Sequence, residues 1–572
     1  MTGNTILQEN QPQTPGCDFQ PSTPYWAETH EVENQSWPLE NYNLYQEDKA
    51  LQEATKAHGA EWAEADLQRL GEVTGSAEVA NWGFEANDNK PVFHPQDRYG
   101  RRVDEVRFHP AYHNLMDLSI REGAHAAHWR EPKAGAHVAR AAKYYLINQV
   151  EAGHCCPITM TSAAIPALKN QPELFQEWAP KILSGEYDPR NIHHRHKSGV
   201  TIGMAMTEKQ GGSDVRRNST RAYPVAQPGP GQLYELVGHK YFVSAPMCDA
   251  FLVLAQAAGG ISCFLVPRWR DDDSKNPLQV LRLKNKMGNV SNASSETELR
   301  GAQGRLVGEE GRGVAVILEM VAMTRFDCMV GSSAGMRQAI AHVTHHCQQR
   351  EAFGAKLSDQ PLMQNVLADL ILENEGALAF TMRIARSLDS LDDEHEKMLM
   401  RMGTAVGKYW ICKRAPGHAY EAMECIGGSA VMEDSIFPRL FRESPVNAIW
   451  EGSGNVQCLD MLRALAKTPA SFEAFMAELN RAKGAHDFLD RAIAKIGKEF
   501  TQKDNMEYRA RGIVEQMALA VQASTLFQYG NTEIAEAFCA GRLSPDNSGW
   551  VYGTLPAAVD CQAIIERATP KV

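Results

Sequence analysis

The spacing of hydrophobic residues changes twice along this chain, from a helical pattern to a strand pattern and back. Between residues 46 and 199, apolar side chains recur at helical intervals. In HVARAAKYYLINQVEAGH this spacing predicts a helix with one apolar face, formed by Val138, Ala141, Tyr145, Ile147 and Val150. From about residue 200, short apolar runs such as YELVGHKYFVS and ISCFLVP are separated by Gly, Pro and Asp clusters, which is typical of strands and turns. Helical spacing returns near Val314, and LMQNVLADLILENEGALAFTMRIARSL predicts one long helix.

This order of patterns predicts an α+β multidomain protein. Alternating βα units are not indicated, which disfavours a doubly wound nucleotide-binding fold. We divide the chain into an extended N-terminal arm (1–45), a helical domain (46–199), a β-domain (200–305), a helical bundle (306–465) and a C-terminal helical domain (466–572). The arm is assigned from its Gln, Asn, Pro and Thr content and its lack of periodicity.

Composition narrows the class of protein further. The 572 residues are 43% hydrophobic and 22% charged, as in globular proteins, and the formal net charge of −12 argues against a general attraction to polyanions. Twelve cysteines without a Cys-x-x-Cys pair predict reduced thiols, including the adjacent Cys155 and Cys156. The N-terminus lacks the features of a signal peptide, and no stretch offers the ~18 consecutive apolar residues of a membrane span. We therefore expect a cytoplasmic protein.

A first candidate site is the glycine-containing segment MAMTEKQGGSDVRRNST, Met204 to Thr220. Glycines let a backbone turn tightly and approach a ligand closely, and successive N–H groups beside Thr207 and Ser213 could cradle a polar or anionic group. An ordinary turn is the commoner meaning of such a run. The pattern alone leaves both interpretations open.

Two later segments also carry glycines next to charged residues. QQREAFG, Gln348 to Gly354, is compatible with a helix that ends in a charged turn and a glycine stop. MECIGGSAVMEDSIFPRLFRESPVNAIWEGSGN, Met423 to Asn455, contains a Gly-Gly pair and places Glu451 between a tryptophan and a glycine-rich turn. Each segment alone has an ordinary structural interpretation.

Three histidines occur in the segment NIHHRHK, at positions 193, 194 and 196. No carboxylate or cysteine lies close to them in the sequence, which is unlike the usual ligand sets of zinc sites. We predict no metal site.

Six segments, in this order, resemble the acyl-CoA dehydrogenase superfamily of flavoproteins: MTEKQGGSDV, RFHPAYH, GHKYFVS, KMGNVSNASSE, MTRFDC and PVNAIWEGSGNVQCLDMLRAL. Within the superfamily the likeness is to the branch that takes part in the bacterial adaptive response to alkylation damage. It extends from about residue 35 to the C-terminus. The resemblance implies a helical N-terminal domain, a β-barrel or sandwich, a four-helix bundle and an extra C-terminal helical domain.

The resemblance also implies a bound FAD and the residues that contact it. Met206, Thr207, Gly212 and Ser213 would lie along the flavin and its pyrophosphate, with Phe242 and Ser244 completing the flavin wall. The adenosine end would be held across a dimer contact, for which a forked guanidinium and exposed backbone amides are suitable. The residues implied at that end are Arg350, Phe353, Gln360, Gly427, Gly428, Ser453 and Asn455.

Glu451 matches the position of the family's catalytic base. Oxidation of an acyl thioester requires a carboxylate within reach of the weakly acidic α-proton while a hydride leaves the β-carbon for flavin N5. Burial beside Trp450 should raise the pKa of Glu451. Some relatives carry the base immediately before an arginine on another helix, but that position here is Thr324. We assign Arg325 to supporting the substrate site together with Trp450.

The chain departs from the family pattern at a few positions. Ala430 stands where a glycine usually follows Gly-Gly-x, Glu424 replaces a glutamine, and Gln360 is displaced by one residue. These changes affect the adenine side of the implied FAD site.

Two functions remain open at this stage. The first is an acyl-CoA dehydrogenase-type oxidoreductase of low activity, assembled as a tetramer from two dimers, with an acyl-CoA or related substrate. The second is a protective flavoprotein of the DNA-damage response with weak, non-specific DNA binding. Residues 466–572 contain twelve Lys and Arg against thirteen Asp and Glu, which does not give the basic excess of a DNA-binding domain. A local stripe could still come from Arg509 and Arg511 with Lys495, Lys498 and Lys503. Nitroalkane oxidation is disfavoured, because the relatives with that activity carry aspartate at the base position.

Overall fold

The structure, a computed structural model, describes residues 30–546 and 551–572. Most of the predicted N-terminal arm, residues 1–29, lies outside the described residues. Residues 30–48 form no helix or strand, and some of them run along the end of a long central helix: the side-chain amide of Asn34 donates to the carbonyl of Glu351 at 2.9 Å, and the Trp37 N–H donates to the Gln349 side chain at 2.9 Å.

The first region is helical, as predicted. Its helices are α1 (Lys49–Ala57), α2 (Glu64–Thr74), α3 (Ala77–Asp88), α4 (Pro110–Arg121), α5 (Ala127–Arg130), α6 (Ala136–Val150), α7 (Cys155–Leu168) and α8 (Pro172–Ile182). A short antiparallel hairpin, β1 (Val92–Gln96) and β2 (Arg102–Arg107), interrupts them.

Helix α6 corrects one detail of the sequence analysis. We predicted a single apolar face, but every residue of α6 except Asn148 is buried. The helix packs against α2, the long bundle helix that begins at Gly313 and other helices at once, so its polar residues are covered as well. Arg140 illustrates this, because its guanidinium forms a buried ion pair with Asp327.

The middle region is a closed β-barrel. Its strands are β3 (Ile202–Ala205), β4 (Arg221–Pro224), β5 (Leu233–Ser244), β6 (Ala250–Ala257), β7 (Gly260–Pro267), β8 (Leu278–Leu283) and β9 (Ser294–Val307). Strands β6, β4, β5, β9 and β7 pair in that order, and β7 pairs back with β6 to close the ring. Strand β3 pairs with β6 in parallel, and strand β8 pairs with β9 in antiparallel orientation.

The next region is a helical bundle. Its helices are α9 (Gly313–Gln349), α10 (Pro361–Leu388), α11 (Glu394–Ile426), α12 (Phe437–Ile449) and α13 (Gly454–Lys467). A short hairpin follows α9, and its strands, β10 (Glu351–Ala352) and β11 (Ala355–Lys356), have two residues each. The predicted long helix is present as α10. It begins with Pro361, which suits a first helical position because proline lacks the N–H that would be unpaired there.

Further helices follow the bundle and pack onto it. They are α14 (Ala470–Asn480), α15 (Asp487–Glu499), α16 (Met506–Tyr529), α17 (Thr532–Arg542) and α18 (Cys561–Ala568). A buried ion-pair triad joins the two regions: Arg383 of α10 lies 2.8 Å from Glu396 and 2.7 Å from Glu478 of α14. The helical, β, helical order predicted from the sequence is thus confirmed.

Arg337, at the middle of α9, connects both ends of the described chain. Its guanidinium donates to the carbonyl of Glu47 at 2.6 Å and to that of Ala568 at 2.7 Å, and it pairs with Asp48 at 3.2 Å. Within the described part of the chain, no helix is both long enough and apolar enough to cross a membrane.

Candidate functional site

A cavity of about 1050 Å³ lies between the barrel and helices α6, α7, α9, α12 and α13. Many of the predicted site residues line it, although they come from distant parts of the sequence. These are Met206, Thr207, Gly212, Ser213, Phe242, Ser244, Arg325, Trp450 and Glu451. The segment from Met204 to Thr220 and the segment from Met423 to Asn455 therefore both contribute residues to this cavity.

The glycine-containing segment is held against the barrel by a buried carboxylate. Glu208 accepts from the Lys240 ammonium at 2.8 Å and from the backbone N–H groups of Ser219 and Thr220 at 2.7 and 3.1 Å. Burial raises the pKa of Glu208, but the charge of Lys240 and the hydrogen bonds from Lys240, Thr220 and Ser219 together outweigh burial, so the pKa lies well below its usual value. This arrangement fixes the turn that follows Thr207.

Gly212 shows why a glycine is needed in that turn. A Cβ atom at this position would lie 2.8 Å from the Thr207 hydroxyl oxygen, closer than real Cβ atoms approach such an atom. Glycine therefore lets the backbone fold tightly over Thr207 and leaves its hydroxyl at the cavity wall.

Glu451 faces the cavity from the turn between α12 and α13. Its Oε2 atom is buried and has no hydrogen-bond partner among the described residues. Burial raises the pKa of Glu451, opposed by a hydrogen bond from Thr324 and by the charges of Arg325 and Lys408. The predicted rise in pKa is thus confirmed. A shielded carboxylate with one unpartnered oxygen, here Oε2, can accept a proton from a molecule bound in the cavity.

The backbone at Glu451 is strained, since its φ of 58° lies in the left-handed region that only glycine enters freely. Donors from several elements hold the carbonyls of this turn. Lys408 donates to the Trp450 and Gly452 carbonyls, both at 2.6 Å. Arg325 donates to the Glu451 carbonyl at 2.8 Å, and Gln457 donates to the same carbonyl at 3.1 Å.

Sequence analysis missed Lys408 and Gln457. Lys408 lies within helix α11, forty-three positions before Glu451, and nothing in the local pattern distinguishes it from a helix-surface lysine. Only its burial, 1% exposed, shows that its charge is used inside the protein. Gln457 is fully buried as well and comes two residues after Asn455, so proximity to the motif was the one available signal.

A second group of predicted residues does not line the cavity. Arg350 follows α9 and donates to the carbonyl of Asn34, Phe353 is fully exposed, and the Gln360 side chain donates to the Ala352 carbonyl at 2.8 Å. Gly427 and Gly428 follow α11, where nothing lies within 4 Å of a Cβ placed at either position. These residues occupy the surface at the C-terminal ends of α9 and α11.

The last two predicted cofactor residues are at the start of α13. Ser453 is the residue before the helix, and its side chain makes no capping hydrogen bond. The Asn455 side chain accepts a hydrogen bond from Arg511 of α16 at 2.8 Å. Residues 453 and 455 lie on the outer side of the turn that carries Glu451 and do not line the cavity.

The two arginines of the proposed basic stripe both make contacts within the chain. Arg509 pairs with Glu499 and donates to the carbonyl of Gln502 at 2.6 Å, while Arg511 is bound to Asn455. Lys495 and Lys498 are exposed on α15. Lys503 and Arg511 are exposed as well, so Arg509 is the member of the stripe whose charge is paired.

The histidines of NIHHRHK pack against aromatic and acidic neighbours. His194 stacks on Trp178, with ring centroids 4.0 Å apart, and lies 3.2 Å from Glu177. His193 stacks on His194 at 4.3 Å. These contacts give the cluster a structural role beside α8.

Family comparisons agree with the fold. Residues 34–189 match the Adaptive response protein AidB N-terminal domain, residues 203–302 the Acyl-CoA dehydrogenase middle domain, and residues 311–466 the Acyl-CoA dehydrogenase C-terminal domain. The chain therefore belongs to the acyl-CoA dehydrogenase family, an oxidoreductase family whose members use FAD.

Within this family the chain is similar to AidB of Escherichia coli (strain K12), whose name places it among the acyl-CoA dehydrogenases. The two are 45% identical over 517 residues, which is 90% of this chain and 94% of AidB. Acyl-CoA dehydrogenase family member 11 of Caenorhabditis elegans is 30% identical over 449 residues, covering 75% of this chain and 71% of that protein.

Solved structures show the same architecture. The Caenorhabditis elegans protein ACDH-11, in complex with C11-CoA, superimposes with a TM-score of 0.83 at 25% identity, covering 92% of this chain and 96% of that chain. An acyl-CoA dehydrogenase from Bacillus anthracis, complexed with FAD, shares the fold with a TM-score of 0.61 at 16% identity, over 80% of this chain and 81% of that chain.

Proposed function

We propose that this protein is an FAD-dependent oxidoreductase of the acyl-CoA dehydrogenase type and that Glu451 is its catalytic base. The cavity suits a flavin because it combines flat apolar walls with polar edges. Met206, Phe242 and Trp450 supply the walls, and the hydroxyl groups of Thr207 and Ser244 lie at the edges. Ser213 and the backbone of the glycine turn would contact the ribityl and pyrophosphate portion.

Glu451 supplies the proton acceptor in this mechanism. Its Oε2 atom takes the α-proton of the acyl thioester, and the electrons of that C–H bond form the new carbon–carbon double bond. The bound flavin supplies the hydride acceptor for the hydrogen that leaves the β-carbon. Lys408, Arg325 and Gln457 keep the carboxylate in place by holding the carbonyls of its turn. An external electron acceptor completes the cycle.

The observation that carries this proposal is the buried, unpartnered Oε2 of Glu451 at the wall of a flavin-sized cavity. The test is an absorbance spectrum of aerobically purified protein, followed by anaerobic titration with a panel of acyl-CoA esters. We expect about one FAD per chain and slow bleaching of the flavin by at least one ester. Protein that contains FAD but is bleached by none of them would contradict the dehydrogenase assignment.

We further propose that the adenosine end of FAD is held where two chains meet. Arg350, Phe353, Gln360, Gly427 and Gly428 lie on the surface at one end of the bundle and outside the cavity of their own chain. A fully exposed phenylalanine beside an arginine is suited to contact another molecule. We propose a tetramer built from two such dimers, located in the cytoplasm. Light scattering that finds a monomer with tightly bound FAD would contradict this assembly.

The similarity to AidB supports a second candidate, a protective flavoprotein of the alkylation and DNA-damage response with weak DNA binding. Lys495 and Lys498, exposed on α15, form no ion pair within the described residues and could contact phosphates. The test is DNA affinity as a function of salt concentration for wild type and Lys495→Ala/Lys498→Ala. A steep negative slope that these substitutions reduce would favour this candidate.

A further inference from the structure

Lys286 is a charged residue of the cavity that the proposed mechanism does not use. It lies between β8 and β9, and its ammonium donates to the carbonyl of Asn292 at 2.6 Å and to the hydroxyl of Ser294 at 3.2 Å. Among the described residues, no carboxylate forms an ion pair with Lys286. A cation in such a position keeps its charge available to whatever occupies the cavity.

Two hydroxyl groups link Lys286 to Ser244 along the cavity wall, which Lys286, Ser294 and Ser244 all line. Ser294 and Ser244 are directly opposite each other in the β5–β9 ladder, and their hydroxyl oxygens are 3.1 Å apart. Ser244 is the residue that we place against the flavin. Because Ser294 already accepts a hydrogen bond from Lys286, its own proton is available for Ser244. Ser244 can then donate its proton into the cavity.

The surroundings of these hydroxyl groups favour donation from Ser294 to Ser244 and from Ser244 into the cavity. Ser294 is buried, at 3% exposed, so bulk water does not compete for its hydroxyl. Burial lowers the pKa of Lys286, and the nearby Cys156, Glu443 and Glu151 partly oppose that effect. Hydrogen bonds that follow one another in a shielded site polarise each other, so the charge of Lys286 strengthens the donor at Ser244.

We propose that Lys286 and Ser294 form a relay that acts through Ser244 to raise the reduction potential of the bound flavin. The inference rests on the proposed FAD site. A reduced flavin carries more negative charge than an oxidised one, so a hydrogen-bond donor backed by a cation stabilises the reduced form. Lys286 and Ser294 are positioning residues in this relay, since they act on the flavin through the hydroxyl of Ser244.

The relay predicts a redox effect that is separable from a packing effect. The test measures the midpoint potential of bound FAD by reductive titration against redox dyes, for wild type, Lys286→Met and Ser294→Ala. We expect each substitution to lower the potential, with at least a tenfold change in the equilibrium between oxidised and reduced flavin, which is about 30 mV for a two-electron couple. FAD content, measured from the absorbance spectrum, should stay near that of wild type.

Ser295→Ala is the matched control. Ser295 is the next residue of β9, is also buried, and its hydroxyl bonds to the Val243 carbonyl and Thr297 rather than to the relay. Its potential should equal that of wild type. Equal potentials in wild type, Lys286→Met and Ser294→Ala would overturn the relay, as would an equal drop in Ser295→Ala. Wild-type protein that takes up no FAD would overturn the proposed function itself and the relay with it.

Discussion

The ammonium of Lys408 lies 2.6 Å from the carbonyl oxygen of Gly452, the residue after the proposed catalytic base. This contact joins the middle of α11 to a turn whose backbone is strained at Glu451. The turn has no regular secondary structure of its own at that point. Its conformation therefore depends on donors supplied from other parts of the fold.

Lys408→Met tests this dependence. The substitution keeps an unbranched side chain but leaves the Trp450 carbonyl without its side-chain donor and the Gly452 carbonyl with Gln457 alone, which should cost roughly 1–3 kcal/mol of unfolding free energy. Flavin bleaching by substrate should also slow, because the carboxylate loses its fixed position. Lys397→Met, at the exposed start of the same helix, is the control for a lost charge. Equal thermal unfolding midpoints and bleaching rates in the two variants would show that the contact is incidental.

Glu451→Gln should separate cofactor binding from catalysis. Glutamine keeps the size and shape of the side chain but cannot accept the α-proton, so bleaching by an acyl-CoA should slow by ~10²–10⁴-fold. FAD content should be unchanged, because Glu451 is not among the residues that we propose to bind it. Stopped-flow absorbance gives the rate of bleaching directly. Bleaching at the wild-type rate would exclude Glu451 as the base.

The pH dependence of bleaching should reflect the burial of Glu451. Its pKa lies above that of an ordinary glutamate because burial disfavours the charged form. The base is active only when deprotonated, so the rate should rise with pH and level off above the raised pKa. The midpoint should lie above about 4.3, the value of an unperturbed glutamate. Wild-type rates measured from pH 5 to 9 would test this, and a flat profile in Glu451→Gln is the matching control.

Arg350→Ala should weaken both FAD binding and the contact between chains. The guanidinium is the charged group of the surface that we propose for the adenosine end, and alanine cannot pair with a pyrophosphate. FAD content after gel filtration and molar mass from light scattering are the two measurements. Lys356→Ala, an exposed cation on the adjacent hairpin, is the matched control. Full FAD retention in Arg350→Ala would assign this residue to the end of α9 and its contact with Asn34.

Arg383→Met should destabilise the attachment of the C-terminal helices. The substitution leaves the buried Glu396 without its ion-pair partner and Glu478 with Arg481 alone, and breaking a buried ion pair typically costs 3–5 kcal/mol. Limited proteolysis should then release fragments from the region after residue 466 sooner than in wild type. Arg386→Met, one turn further along α10, removes an arginine that has no ion pair within the described residues. Similar digestion of both variants would mean that apolar packing alone holds the C-terminal helices.

The sequence was sufficient to predict the order of helical and β regions, because hydrophobic spacing depends on local structure. It was not sufficient for α6, where the apolar residues suggested one buried face and tertiary packing buries nearly all of the helix. The hairpin β1–β2 was missed as well, because apolar and polar residues do not alternate regularly in its strand sequences, VFHPQ and RVDEVR. Closure of the barrel through the pairing of β7 with β6 is a long-range property that no local pattern contains.

The candidate site divides in the same way. Motifs that resemble a family pointed to Thr207, Ser244 and Glu451, and the fold brings these residues to one cavity. Lys286 and Lys408 went unnoticed because a lysine is usually a surface residue, and only the three-dimensional structure shows which charges are enclosed. The remaining predicted cofactor residues lie on an outer surface, and their roles stay predictions.

The contacts of Arg337 have a consequence for how the chain reaches its final state during synthesis. The ribosome produces Glu47 and Asp48 first and Arg337 later, whereas Ala568 follows Arg337 by 231 residues. One donor of the buried Arg337 guanidinium therefore stays without this partner until α18 has been synthesised and has docked. A nascent chain stalled before residue 568 would lack the contact between Arg337 and Ala568 and could not complete its folding.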